Sequence, residues 1–316
     1  MAAPKAPRKG SLQFWPRKRV NKFLPRVNWV AIDSEKKIKG FICYKAGMAS
    51  AIVKDNTSNS MTKDKKIAVP CTILECPTMK IFSVRLYKNG IVAKDILAEN
   101  IDKELKRKIK LPKIKKGGLD KINLDLYDDV SAIFYSQVKK AGLKKTPDIV
   151  EIGLTGSLNE KINFIRENIN KEFSILDFFE KGDLVDFRGL TTGKGFQGPV
   201  KRFGITFRSH KAEKGVRKVG SIGPWHPART TFRTPMAGQL GMFTRIIYNN
   251  KIIDLGKASE EKINLKGIKN YGDVKGDYIV VNGSVQGPAK RQLIMCAALR
   301  VSKAQKKKNF EFLELR

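Results

Sequence analysis

Histidine and cysteine are scarce, two and four in a chain of 316 residues. The histidines, His210 and His226, lie in a segment whose only acid is Glu213. A hydrolase that uses histidine needs a carboxylate to orient it, so this class has little to build on. Cys43, Cys71, Cys76 and Cys296 make no disulfide framework, which predicts a reducing compartment. No second Cys/His pair stands at zinc spacing from Cys71 and Cys76, so the thiols are expected to be buried and unreactive, with no metal. Long apolar runs are missing as well. The stretch Ile294–Leu299 is far short of the roughly 18 residues that a spanning helix needs. The first 26 residues have no apolar segment of the secretory kind, and Pro4, Pro7, Pro16 and Pro25 interrupt any transit-type helix. These absences predict a soluble intracellular protein without cofactor or membrane partner.

What the chain has in excess is positive charge. There are 63 basic residues against 30 acidic, a formal net charge of +33. It is unevenly distributed. Residues 1–26 carry eight basic side chains and no acid, and residues 188–245 carry twelve with Glu213 alone against them. Eleven of the 17 arginines fall in these two segments. Guanidinium donates in pairs to phosphate and stacks on bases, whereas lysine is a hydrated point charge suited to solubility. The two arginine-rich segments therefore predict a polyanionic partner. The lysine runs Lys103–Lys116 and Lys306–Lys308 fit a solvated face equally well.

Residues 1–30 read as an extended arm in which basic and aromatic residues alternate among prolines. Ile38–Val53 reads as a β-hairpin turning near Gly47, and strands are predicted at Ile67–Leu74 and Lys80–Leu86, separated by Pro77. Between Asp125 and Lys140, apolar residues at Val130, Ile133, Phe134 and Val138 have helical spacing. Asp148–Leu154 reads as a strand. Ser157 and Glu160 form a capping box that opens a helix to about Ile169. Strands return at Leu184–Phe187, at Arg245–Asp254 with Asn249–Asn250 as a turn, at Asp277–Val281 and at Gln292–Leu299. The expected organisation is mainly β: a barrel over residues 31–87 and 181–300, an α+β insertion over 88–180, and a basic C-terminal tail over 301–316. A basic loop, about 203–234, is too long and too charged to order itself without a partner.

Gly193, Gly195 and Gly198 match G-x-G-x-x-G, and Glu213 lies 20 residues beyond Gly193. A dinucleotide site needs a helix opening at the third glycine, and Pro199 followed by Lys201–Gly204 shows no helical face. The spacing also fails the phosphate loop of NTPases. A glycine turn that lets backbone approach a partner closely is the better reading.

Several motifs then occur in one order: Lys9–Phe14 (KGSLQF), Gly40–Met48 (GFICYKAGM), Asp186–Gly198 (DFRGLTTGKGFQG), Lys201–Gly204 (KRFG), Ser221–Arg229 (SIGPWHPAR) and Met236–Gly241 (MAGQLG). Taken together the chain resembles, nearly end to end, the universal large-subunit ribosomal protein L three family in its archaeal or eukaryotic form. The resemblance implies a non-catalytic protein of the cytoplasmic ribosome that binds large-subunit rRNA and helps nucleate subunit assembly. It implies a Greek-key β-barrel of the translation-protein type, and an arm and loop that thread rRNA toward the peptidyl transferase centre. Neighbouring large-subunit proteins, including universal protein fourteen, are implied as partners. Trp225 and His226 match the family's Trp–His–Pro stretch, while Phe232 stands where eukaryotic members have a tryptophan. Residue chemistry and resemblance together put rRNA contacts at Arg8, Lys9, Arg17, Lys18, Arg19, Arg26, Arg188, Lys194, Lys201, Arg202, Arg208, Arg217, Lys218, Trp225, His226, Arg229, Phe232 and Arg233.

Three rival partners follow from charge alone. A DNA-compacting protein is permitted by +33, but the basic residues lie in irregular segments rather than on a recognition helix. An RNA-modifying enzyme needs a cofactor pocket or an acid/base pair. A membrane-surface protein needs a basic amphipathic helix, and the basic segments are rich in proline and glycine.

Overall fold

A computed structural model describes residues 9–112, 126–260 and 263–316. Arg8 and part of the Lys103–Lys116 run lie outside the described residues. The chain divides into two compact units, one of Met1–Phe23 with Leu190–Arg245 and one of Leu24–Gly189 with Ile246–Arg316.

The described residues hold thirteen strands: β1 (Gly40–Asp55), β2 (Lys66–Cys76), β3 (Met79–Lys88), β4 (Ile91–Leu97), β5 (Asp129–Ser136), β6 (Ile149–Gly153), β7 (Leu184–Leu190), β8 (Phe196–Gln197), β9 (Gly238–Gln239), β10 (Thr244–Lys257), β11 (Asp277–Asn282), β12 (Gln292–Ala297) and β13 (Phe310–Leu315). The fold is mainly β. In the larger unit a seven-stranded sheet runs β12-β7-β10-β11-β2-β1-β13, and a further pairing of β12 with β1 joins six of its strands into a ring. A four-stranded sheet, β4-β3-β5-β6, shares its core, in which Phe41, Leu74, Phe187 and Met295 from the first sheet lie in one cluster with Met79, Val84 and Phe134 from the second. Burying each such side chain contributes about 1.5–3 kcal/mol.

Four local readings of the sequence are corrected. Gly40–Asp55 is one continuous strand rather than a hairpin, and Gly47 marks a shift in its register with β2. Asn249–Asn250 likewise lies inside a continuous β10. Asn249 takes φ 57° there while its N–H donates to buried Asp186. Asp129–Ser136 is a strand and not a helix, since it pairs with both β3 and β6 and is buried on both faces. Residues 301–316 are more than a tail, because α3 (Lys303–Lys307) is followed by β13 on the edge of β1. The Ser157 cap is as expected, opening α1 (Leu158–Asn168) by accepting the Glu160 N–H.

Several buried polar groups in this unit are paired across elements. Tyr44 donates to Asp148 at 2.5 Å and lies 2.8 Å from the Ser136 hydroxyl, which links β1 to the insertion. Glu75 accepts from the Tyr271 hydroxyl and from the N–H groups of Lys275 and Gly276. All four cysteines are buried thiols. Burial pushes both Cys71 and Cys296 up to about 11. A thiol reacts through its thiolate, so both should stay inert at pH 8 in the native protein. Alkylation with iodoacetamide is expected to label them at least tenfold more slowly in buffer than in guanidinium chloride. Comparable rates in the two conditions would contradict this.

Candidate nucleic-acid interface

The smaller unit gathers most of both arginine-rich segments, all but Arg26 and Arg188 of their arginines. Its scaffold is the root of the long loop, where Phe196 pairs with Gln239 and Gln197 with Gly238 across β8 and β9. The Thr191 N–H donates to the Phe243 carbonyl at 3.0 Å, and the Phe243 N–H donates to the Thr191 hydroxyl at 3.2 Å. At Gly241, φ is +76° and any Cβ would strike the Thr192 carbonyl, so only glycine lets the two sides of the root meet. A one-turn helix, α2 (Pro199–Phe203), follows Gly198, contrary to the expectation of none. Proline at its first position favours this start, and Gly204 in the left-handed region ends it. One turn that does not follow a parallel strand is not a dinucleotide fold.

The arm docks on this root through aromatic and guanidinium groups. Trp15 stacks on Phe203 with ring centroids 6.0 Å apart and meets Phe232 edge-on at 5.7 Å. Arg17 covers Phe203 at 4.5 Å and Arg202 lies over the same ring at 5.1 Å. Arg202 donates to the carbonyls of Gln239, Met236 and Arg17, at 2.9, 2.9 and 3.1 Å. Arg17 donates in return to the Arg202 carbonyl at 3.4 Å. Burial lowers the Arg202 pKa, and the charge of Arg17 adds to the effect. Farther along, Arg245 sits over Phe14 at 4.2 Å and over Phe243 at 5.4 Å.

The expected contact residues therefore divide. Arg17 and Arg202 are turned inward, where they fasten arm to root. Arg188 belongs to the larger unit and is buried in β7 at 8% exposure, with Asp186 and Cys296 as its charged and polar neighbours. In all three the guanidinium is engaged or enclosed by the protein itself. Lys9, Lys18, Arg19, Arg26, Lys194, Lys201, Arg208, Arg217, Lys218, His226 and Arg229 are exposed. Arg217 lies over Phe207 at 5.1 Å and Arg233 over Phe232 at 5.8 Å, so cation and ring are presented as a pair. Beyond the root the loop leaves Trp225 87% and Phe232 63% exposed. Near them an open concavity of about 510 Å³ is lined by residues 221–224 and by Thr231, Arg233, Thr234 and Pro235. Among the described residues no His, Cys, Asp and Glu group could hold a metal ion, and no helix is long and apolar enough to cross a membrane.

Exposed guanidinium and ammonium groups beside large solvent-facing rings have the chemistry that suits single-stranded or folded RNA. Comparison with known proteins makes this specific. The family model "Ribosomal protein L3" matches residues 1–315, and the chain belongs to that family. It is similar to "Large ribosomal subunit protein uL3" of Methanocaldococcus jannaschii, 39% identical over 93% of this chain and 91% of the relative. The protein of the same name from Methanococcus aeolicus is 40% identical over 93% and 91%, and that of Archaeoglobus fulgidus 36% over 94% and 93%. The chain is a structural constituent of the ribosome and not an enzyme.

Proposed function

We propose that the chain binds large-subunit rRNA through the arm and the long loop, nucleates subunit assembly, and supports the peptidyl transferase centre with the loop tip. The observation that carries this reading is the division of the arginines. Arg17 and Arg202 hold the arm on the root, while Arg19, Arg208, Arg217, Arg229 and Arg233 are exposed, as is Trp225. Lys9, Lys18, Arg26, Lys194, Lys201, Lys218, His226 and Phe232 complete the contact set. The ring of six strands is taken as the Greek-key barrel of the translation-protein type. Residues 31–87 and 181–300 make that core, 88–180 the insertion and 1–30 the arm. Universal large-subunit protein fourteen is a neighbouring partner on this reading.

Stacking of a base on an aromatic ring contributes about 1–3 kcal/mol. Replacing Trp225–Arg233 by a Gly/Ser linker removes Trp225, His226, Phe232 and two arginines, with the edge-on contact of Phe232 to Trp15, and leaves the β8–β9 pairing and the Trp15–Phe203 stack in place. Subunit occupancy is expected to stay near normal, while single-turnover peptidyl transfer or sensitivity to drugs acting at that centre changes. Unchanged transfer and drug response at normal occupancy would refute the role of the tip. Lost occupancy would make it a structural anchor instead.

A further inference from the structure

The larger unit carries a second concentration of positive charge, assembled from opposite ends of the chain. Lys63 and Lys65 lie in the loop between β1 and β2, Lys66 opens β2, and Lys303, Lys306 and Lys307 lie on α3; all six are exposed. Two hydrogen bonds bring the segments together. The Asn56 N–H donates to the Asn309 carbonyl, and the Asn309 N–H to the Thr57 hydroxyl, both at 2.9 Å. None of the six lysines makes an ion pair with a described residue. The nearby acids are otherwise engaged: Asp64 lies 4.0 Å from Lys54, and Glu311 accepts from Asn56 at 3.2 Å.

Both segments are held in place from within. Buried Asp55 accepts from the Thr57 N–H at 2.9 Å and from the Ser60 and Thr62 hydroxyls at 2.8 and 2.5 Å, tying the loop into a knot. At the other segment, the Ser302 N–H donates to the Asn249 side chain at 3.1 Å. The ammonium of Lys251, a buried residue of β10, donates to the carbonyls of Gln305, Lys306 and Lys308. A five-residue helix does not persist alone in water. Here an internal cation satisfies its C-terminal carbonyls, where the helix dipole favours positive charge. A solvated decoration of lysines would need neither the knot nor the plug.

We propose that Lys63, Lys65, Lys66, Lys303, Lys306 and Lys307 form a preorganised RNA-backbone contact on the larger unit, additional to the arm and the loop. Lysine point charges suit phosphate oxygens and read no base, so this surface positions RNA without selecting sequence. The proposal rests on the rRNA-binding reading above.

The test is a salt titration of binding to full-length large-subunit rRNA. It compares the unaltered chain with three triple variants: Lys63→Gln/Lys65→Gln/Lys66→Gln, Lys303→Gln/Lys306→Gln/Lys307→Gln, and a control, Lys88→Gln/Lys94→Gln/Lys171→Gln, at exposed lysines elsewhere on the same unit. Each phosphate contact contributes about 0.7–0.9 to the slope of log affinity against log salt. Each cluster triple is expected to lower the slope by about 1.5–3, and the control to leave it unchanged. A steep slope that both cluster triples leave intact would overturn this surface alone. So would a control that lowers it equally, because charge without placement would then suffice. A cluster triple that binds rRNA normally but loses an acidic protein from assembled subunits would assign the surface to a protein. A flat titration of the unaltered chain would overturn the rRNA reading itself.

Discussion

Between 50 and 200 mM salt, affinity for large-subunit rRNA is expected to fall by about 10³–10⁵. The reason is counterion release: each phosphate neutralised by a lysine or arginine frees condensed cations, and added salt opposes that release. The smaller unit offers ten exposed basic residues from the contact set, namely Lys9, Lys18, Arg19, Lys194, Lys201, Arg208, Arg217, Lys218, Arg229 and Arg233, and Arg26 adds one from the larger. With roughly 6–10 of these on phosphate, the loss falls in the stated range. Arg17, Arg188 and Arg202 are excluded from the count, since they are buried or bonded to protein carbonyls. Neutralising an exposed residue that sits on phosphate should therefore lower the slope, whereas Arg202→Gln should act through the docking of the arm. A nearly flat titration would exclude backbone contacts as the source of affinity.

Phe203→Ala is expected to release the arm. Phe203 is 7% exposed and carries Trp15 on one side with Arg17 and Arg202 over its ring. Truncating a buried phenylalanine costs about 3–5 kcal/mol, and here the cavity opens under the contact that holds residues 10–17. A loss of about 3 kcal/mol multiplies the undocked population by roughly 10². When opening is fast compared with cleavage, proteolysis follows that population. Trypsin should then cut after Arg17, Lys18 and Arg19 about 10² times faster than in the unaltered chain. Cutting at the far loop, around Lys211–Lys218, should be unaffected. Cleavage in the arm within threefold of the unaltered rate would show that Phe203 does not hold it.

The parts of this molecule that read correctly from sequence are those set by local chemistry. Ser157 with Glu160 opens a helix because the hydroxyl satisfies a free N–H wherever the helix is placed. The concentration of arginine in two segments likewise survives folding, since most of each segment lies in one unit. Long strands were less legible. Gly47 and Asn249 look like turn residues, yet each sits within a strand whose partners on either side override the local preference. In β5 both faces are covered, so the alternation that marks a strand is lost and Val130, Ile133 and Phe134 imitate a helix. The inward arginines were not legible at all. Arg17 and Arg202 exchange bonds with one another's backbone across 185 residues of sequence, and nothing in either segment distinguishes them from their exposed neighbours.

The smaller unit is built from Met1–Phe23 and Leu190–Arg245, and that division has a consequence in time. A chain is made from its N-terminus at about 5–20 residues per second, so the partners of Trp15 and Arg17 follow the arm by roughly 10–40 s. Until Phe203 and Arg202 leave the exit tunnel, Met1–Phe23 presents its tryptophan and seven cations to the surrounding medium with no protein surface to receive them. The first anion it can meet is whatever RNA is close at hand during synthesis.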